Sequence, residues 1–206
     1  MKNKKILYTF ICVLIISIFI LFLYYKNLKF GKNIIKSNLN LKEYILSISS
    51  YEATISVEIN SNKNTNKYVI KQTYVSPNLF KQEIQAPENI KGLTIMYDGV
   101  NLKIENSILS LSKIYNNYNY LSNNRLCLSS FIDEIKDKEI ITTDDDNNFL
   151  IEIETENKYS KYKSLKINKK TKLPVEMKIM DDNKKTLVYI LYNDITINNT
   201  EKENII

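Results

Sequence analysis

The sequence contains no histidine and no tryptophan among its 206 residues. Histidine is the commonest general base in enzymes, so its absence removes the residue on which many active sites depend. No serine, cysteine or carboxylate stands in a recognisable nucleophile context. The neighbouring carboxylates Asp133 and Glu134 should point to different sides of a helix and so make no dyad. We therefore predict a protein that is not an enzyme and has no catalytic, cofactor-binding or metal-binding residues.

Cysteine occurs only twice, at Cys12 and Cys127. Cys12 lies inside a long apolar run at the N-terminus. If that run spans a membrane, the two thiols occupy different environments and cannot form an intramolecular disulfide. Cys127 is then expected to be a small buried hydrophobic residue, with a reactive thiol as the less favoured alternative.

Arginine occurs once, at Arg125, whereas asparagine, isoleucine and lysine are abundant, as in proteins from AT-rich bacterial genomes. The formal net charge is +6, but Lys2, Lys4 and Lys5 precede the apolar run, and the rest of the chain carries only +3. That charge is small and interspersed with acidic residues. The sequence therefore predicts no nucleic-acid partner.

Residues 6–25 form a run of twenty residues without a charge. As a helix this run is roughly 30 Å long, which matches the hydrocarbon core of a bilayer. A cleavable signal peptide would need small residues at its end, but this run ends in Phe22, Leu23, Tyr24 and Tyr25. A lipidated cysteine would follow the apolar run, whereas Cys12 lies within it. We therefore predict an uncleaved membrane anchor.

The predicted organisation follows from this anchor. Residues 1–5 form a cytoplasmic tail, 6–25 a transmembrane signal anchor and 26–39 a basic juxtamembrane linker, which could contact anionic headgroups or act as a spacer. Residues 40–200 form one extracytoplasmic domain, and residues 201–206 a C-terminal tail. The short N-terminus and long following domain favour an N-in, C-out, single-pass topology.

Glycine and proline are scarce, with three of each, so each one marks a turn with some precision. In residues 74–102, Pro77 and Pro87 end short extended runs, because proline has no N–H to donate to a strand partner. Gly92 begins the next run, and Asp98-Gly99 is the dipeptide of a tight hairpin. This stretch predicts an antiparallel meander.

Alternating apolar residues predict further strands on both sides of the meander. The expected strands are residues 51–60, 67–75, 79–85, 93–97, 102–105, 108–111, 149–154, 165–167, 175–179, 186–192 and 195–197. Asn40 is expected to cap a helix, with Leu41, Tyr44, Ile45 and Ile48 on one face. Leu128, Phe131, Ile132 and Ile135 indicate a second, amphipathic helix within residues 125–136.

Residues 142–148 are rich in aspartate and could suggest a calcium loop. An EF-hand would need a central glycine and a later glutamate, and both are absent. We interpret this segment as a solvated acidic turn.

These elements predict an α+β fold, with one large curved antiparallel sheet of roughly nine to eleven strands and helices on its concave face.

Two sets of short motifs resemble the LolA-like family of lipoprotein carriers. The first comprises residues 76–84 (SPNLFKQEI), Pro87 and residues 97–100 (YDGV); the second comprises residues 171–177 (TKLPVEM) and 192–198 (YNDITIN). They occur in the family's order over about residues 40–200. The resemblance implies an open half-barrel fold.

The nearest branch is that of the germination lipoproteins, the GerS-related proteins of spore-forming clostridia. That resemblance implies a role in spore cortex modification or germination through binding of a peptidoglycan amidase. Two departures are visible. The chain has no lipidation motif, and Ser76 stands where the carriers have a basic residue that helps to close the cavity, which counts against carrier activity.

Two functions follow as hypotheses. The first is a membrane-anchored, non-catalytic binding protein whose partner is a cell-wall amidase. The alternative is a carrier or chaperone that holds a lipid, acyl chain or lipoprotein in a concave apolar cavity. The sequence gives no oligomeric state.

Overall fold

The computed structural model describes residues 17, 18 and 20 and then residues 40–61, 63–118, 126–144 and 146–200. The chain divides into two compact units, Met1–Leu41 and Lys42–Ile206. The predicted membrane anchor at residues 6–25 falls almost wholly outside the described residues, as do the linker and both tails. Within the described ranges, no helix is both long enough and apolar enough to cross a membrane.

The second unit is built on one open, curved antiparallel sheet. In the described part of the chain it has eleven strands, in the order β6-β5-β4-β3-β2-β1-β11-β10-β9-β8-β7. The strands are β1 Ile48–Asn60, β2 Thr65–Val75, β3 Leu79–Ala86, β4 Leu93–Asp98, β5 Leu102–Asn106, β6 Leu111–Tyr115, β7 Ile141–Asp144, β8 Asn148–Glu154, β9 Tyr162–Asn168, β10 Pro174–Met180 and β11 Thr186–Asn199. The predicted sheet and its strand count are confirmed.

Two meanders make up the sheet, and the pairing of β1 with β11 joins them. The first meander runs outward from β1 to β6, and the second runs inward from β7 to β11. The chain therefore leaves the sheet at one edge and returns at the opposite edge. The segment between β6 and β7 holds helix α2, Leu128–Ile135, at the position that the sequence predicted.

Helix α1, residues 40–46, leads into β1. Ile45 of this helix is fully buried, as predicted, and Lys42 donates a hydrogen bond to the Lys138 carbonyl at 2.6 Å. Ile48 was expected on the same helical face, but it is the first residue of β1. The helix ends earlier because the chain turns at Ser47, whose hydroxyl bonds the Tyr44 carbonyl.

One face of the sheet, here called the inner face, packs against α2. Strand register assigns its members, because alternate residues of each strand point to the same side. Its buried members are Tyr51, Ala53, Ile55, Val57, Ile70, Gln72, Tyr74, Phe80, Gln82, Leu102, Ile151, Ile153, Lys163, Leu165, Ile167, Met177, Ile179, Ile190, Tyr192 and Ile195.

Three of the predicted elements, two involving strands and one a turn, differ from the structure. The strand expected at residues 108–111 is a turn, and β6 begins only at Leu111. The Asn106 side chain accepts a hydrogen bond from the Leu109 N–H, and Ser110 has a φ of 52°, so the apolar residues Ile108 and Leu109 lie in the turn. A side-chain bond of this kind stabilises a turn in place of a strand.

The acidic turn expected at residues 142–148 begins instead as a strand. β7 pairs with β8, with Thr142 opposite Ile151. Its β-branched residues favour extended structure, and pairing to a buried neighbour outweighs the polar composition.

The two strands expected at residues 186–192 and 195–197 are one strand, β11. A bulge lies opposite Thr54 and Ile55, which pair with Asp194 and Tyr192. The extra residue, Asn193, shifts the alternation by one, so that Tyr192 and Ile195 both remain on the inner face. In the sequence alone, the same break in alternation looks like the end of one strand and the start of another.

Candidate functional site

Helix α2 covers the centre of the inner face. Leu128, Phe131 and Ile135 are fully buried, and Ile132 is nearly so. Their three- and four-residue spacing places them on one side of the helix. Each fully buried side chain of this size stabilises the fold by about 2 kcal/mol through removal of apolar surface from water. The inner face is thus filled here by side chains of the protein itself.

Two glutamines of the sheet fix the start of this helix. Gln72 on β2 donates a hydrogen bond to the Leu126 carbonyl at 3.2 Å, and Gln82 on β3 donates to the Cys127 Sγ at 3.0 Å. Both side chains are buried and lie side by side in the β2–β3 register. Neither glutamine was predicted from the sequence as a site residue, although both fall on the apolar side of their strands.

A buried lysine holds the middle of α2. Lys163 on β9 is only 1% exposed, and its ammonium donates to Glu134 Oε1 at 2.9 Å and to Ser130 Oγ at 3.1 Å. Its position alternates with Leu165 and Ile167, which is the signal that would have placed it on the inner face. A buried ammonium requires such partners because its desolvation is costly.

Among the described residues, three buried polar atoms on the inner face have no hydrogen-bond partner: the hydroxyls of Tyr51 and Tyr192, and Gln72 Oε1. Burial raises the pKa of both tyrosines, and the nearby Cys127 raises it further. Burial also raises the pKa of the Cys127 thiol to about 12. Cys127 is therefore a protonated, buried thiol at neutral pH, as the sequence predicted, and a weak nucleophile.

A polar cleft of about 400 Å³ lies beside the exposed side of α2. Its lining residues are Asp133, Glu134, Asp137, Lys138, Thr155, Glu156, Asn157, Ser160 and Lys163. Asp133 pairs with Lys136 and Glu134 pairs with Lys163, so the two carboxylates bind different partners even though both border the cleft. Within the described ranges, no three acidic or cysteine side chains are placed to hold a metal ion.

The outer face of the sheet carries ion pairs formed within the chain. Glu176 on β10 contacts Lys178 at 2.8 Å and Lys166 at 3.4 Å, and it accepts a hydrogen bond from the Tyr189 hydroxyl. Partial burial alone would raise the pKa of Glu176, but these donors and charges lower it. These side chains stabilise the fold and are largely occupied with one another.

The outermost strands, β6 and β7, form the two edges of the sheet. β6 is exposed along all five residues, and β7 presents Ile141 at the opposite edge. An edge strand leaves a row of backbone N–H and C=O groups without strand partners. Edges of this kind can accept an extended segment of another chain.

No family model matches the sequence, and no curated protein does either. Solved structures with a similar fold do exist. One is an uncharacterized conserved protein from Thermus thermophilus, with a TM-score of 0.51, 12% identity and coverage of 81% of this chain and 89% of that chain. Another is a chain in the structure of the CwlD amidase from Clostridioides difficile in complex with the GerS lipoprotein, with a TM-score of 0.50, 24% identity and coverage of 79% of this chain and 93% of that chain.

A third similar structure is the LolA superfamily protein NE2245 from Nitrosomonas europaea, with a TM-score of 0.41, 10% identity and coverage of 80% of this chain and 94% of that chain. The similarities to these three structures extend over most of each chain. Structural neighbours of the protein include LolA-superfamily proteins, the family that the sequence motifs resemble, and the likenesses at TM-scores of 0.51 and 0.50 show a shared overall fold.

Proposed function

We propose that the protein is a membrane-anchored, non-catalytic binding protein that acts outside the cytoplasmic membrane by contacting a protein partner. The observation that carries the proposal is the closure of the inner face by α2. Leu128, Phe131 and Ile135 occupy the centre of that face. Recognition of a partner then uses the outer surfaces and edges of the sheet, where affinity comes from strand pairing and side-chain contacts.

We further propose that the partner is a peptidoglycan amidase and that the complex acts in spore cortex modification or germination. Two features support this choice. The motifs at residues 76–84 and 97–100 resemble those of the LolA-like family, in which the GerS-related proteins are the nearest branch. A chain in the structure of the CwlD amidase with the GerS lipoprotein has a similar fold over 79% of this chain.

The anchoring part of the proposal is supported by the twenty uncharged residues at positions 6–25 and by the lysines that precede them. Such a run is long enough for one membrane crossing. Cell fractionation tests it: the intact protein should sediment with membranes, and a variant without residues 6–25 should not.

The amidase proposal is tested by mixing the purified full-length chain with the cell-wall amidase of the same organism. We expect a complex with a dissociation constant of about 1 µM or tighter, measured by isothermal titration calorimetry. Native mass spectrometry of the same preparation provides the competing readout. Absence of a complex, together with a copurifying acyl chain, would favour a lipid or lipoprotein carrier instead.

A further inference from the structure

Strand β6 is an exposed edge with an apolar composition. Leu111 is 62% exposed and Ile114 is 58% exposed, and Tyr115 is also open to solvent. β6 pairs with β5 on one side only. Alternate residues of the strand therefore direct their N–H and C=O groups away from the sheet.

The turn before β6 extends this apolar surface. Ile108 and Leu109 are 66% and 62% exposed, in the hairpin that joins β5 to β6. Proteins rarely leave contiguous large apolar side chains in water without a functional reason. The hairpin tip and β6 together offer five such side chains along one edge.

Both ends of the edge are held by hydrogen bonds. At the start of the hairpin, Asn106 accepts from the Leu109 N–H at 3.0 Å. After the strand, the Tyr118 N–H donates to the Val100 carbonyl at 2.8 Å. A strand that is already ordered loses little conformational entropy when a partner binds.

The edge also carries one unbalanced charge. Lys113 lies between Leu111 and Tyr115 on the same side of β6, opposite Ile104. Its ammonium lies 5.0 Å from the centroid of the Tyr115 ring. In the described part of the chain no carboxylate lies within ion-pair distance of it, whereas Lys103 on the neighbouring strand pairs with Glu105. The charge of Lys113 is therefore free to pair with an incoming group.

The opposite edge is less suited to an acidic partner. β7 has four residues, of which Asp144 is the last, and two further aspartates follow it in the sequence at positions 145 and 146. Like charges placed across neighbouring strands are destabilising.

We propose that β6 binds an extended segment of a partner protein, which adds a further strand to the sheet and places an acidic side chain opposite Lys113. The inference rests on the proposed function only in that the partner is a protein. Backbone hydrogen bonds supply affinity, and Leu111 and Tyr115 contact alternating apolar residues of the added strand. Lys113 sets the register, because only one alignment brings an acidic residue to it.

Two synthetic peptides test this edge without a known partner. Each has nine residues of alternating valine and threonine, one with a central glutamate and one with a central lysine. At about 1 mM peptide, the glutamate peptide should slow hydrogen exchange of the β6 amides in the full-length chain. The lysine peptide should bind about fivefold more weakly. Protection at β7 instead, or at neither edge, would overturn the proposal.

A charge reversal sharpens the test. In Lys113→Glu the preference should invert, so that the lysine peptide binds more tightly than the glutamate peptide. The matched control is Ile141→Asp on β7, where the exposed residue is also apolar and the preference should remain that of the unmodified chain. An unchanged preference in Lys113→Glu would show that the charge has no role in recognition.

Binding measurements with the amidase distinguish the proposal of an amidase partner from the proposal that β6 is the binding edge. If it binds the full-length chain, Lys113→Glu should weaken that complex about tenfold and Ile141→Asp should leave it unaltered. Equal binding of both variants would overturn the β6 assignment while leaving the amidase proposal intact. If the amidase does not bind at all, the peptide experiments still show whether β6 binds an added strand.

Self-association is tested by sedimentation. A dimer that Leu111→Asp dissociates would identify the occupant of β6 as a second copy of this chain and would overturn the proposed heterologous partner.

Discussion

Lys163 and Glu134 form an ion pair whose lysine side chain is removed from water while its carboxylate remains a quarter exposed. The pair joins β9 to α2, and Ser130 accepts a second hydrogen bond from the same ammonium. A buried pair of this kind contributes little net stability compared with apolar side chains, but removal of one partner leaves an uncompensated charge. Its main effect is to fix where α2 lies on the sheet.

The pair predicts an asymmetric double-mutant cycle. Glu134→Leu should lower the free energy of unfolding by about 3 kcal/mol, because the ammonium stays buried without a carboxylate. Lys163→Met should cost less, since Glu134 can still reach solvent, and the double variant should recover most of the loss. Urea denaturation measures all three.

The matched control for this cycle is Lys67→Met, which breaks the exposed pair between Lys67 and Glu58. An exposed pair contributes about 0.5 kcal/mol. A Glu134→Leu loss no larger than that of Lys67→Met would contradict the structural role assigned to Lys163.

At the scale of elements, the hairpin between β4 and β5 shows how local chemistry sets a turn. The Asp98 carboxylate accepts hydrogen bonds from the N–H groups of Val100 and Asn101. These bonds, together with one from the Asn101 side chain, lower the pKa of Asp98. Gly99 has a φ of +94°, in the region that only glycine adopts readily. The dipeptide identified in the sequence therefore forms the turn for the predicted reason.

Gly99→Ala should lower the free energy of unfolding by about 1 kcal/mol. No atom lies within 4 Å of the position that the new Cβ would take, so the cost is backbone strain and not a clash. Thermal or urea unfolding measures it. The control is Val100→Ala in the same turn, whose exposed side chain should change stability only slightly. Equal effects of the two substitutions would show that the glycine conformation is not required.

At the scale of the whole molecule, the burial of ionisable side chains beneath α2 makes the stability of the fold depend on pH in the alkaline range. Burial raises the pKa of Cys127 from 9.0 to about 12 and that of Tyr51 and Tyr192 above 10.0. The folded state keeps these protons while the unfolded state loses them. Each group therefore makes its full contribution to the free energy of unfolding below the pKa that it has in the unfolded chain. That contribution is lost as the pH rises toward the pKa that the group has in the folded protein.

We therefore expect the free energy of unfolding to fall steadily above about pH 9, the unfolded pKa of the cysteine. Because the chain has no histidine, no side chain with an ordinary pKa near 6.5 adds a transition between pH 5.5 and 8. Cys127→Ala should make the decline between pH 9 and 12 shallower, by on the order of 1 kcal/mol per pH unit. Urea unfolding across this range measures the slope. Parallel curves for the two proteins would show that the thiol ionises equally in both states.

The sequence by itself determined the curved antiparallel sheet, most of its strands and both helices, because alternation, scarce glycine and proline, and the spacing of Leu128, Phe131 and Ile135 are local signals. It also determined the LolA-like resemblance through short motifs at turns. Where alternation slips at Asn193, or where polar residues pair with a buried strand, as in β7, the local pattern was misleading. At Asn193 the deciding neighbour is β1, which lies far away in the sequence, and for β7 it is the backbone pairing with β8, whose Ile151 is buried.

Only the tertiary structure decided which polar side chains meet. Lys163 and Glu134 are 29 residues apart, and Gln82 and Cys127 are 45 apart, so no local period brings them together. Likewise, β6 becomes an edge only because β1 pairs with β11 at the centre of the sheet, which leaves β6 and β7 at the two ends. Long-range strand pairing is what turns an ordinary apolar stretch at residues 108–115 into an exposed surface.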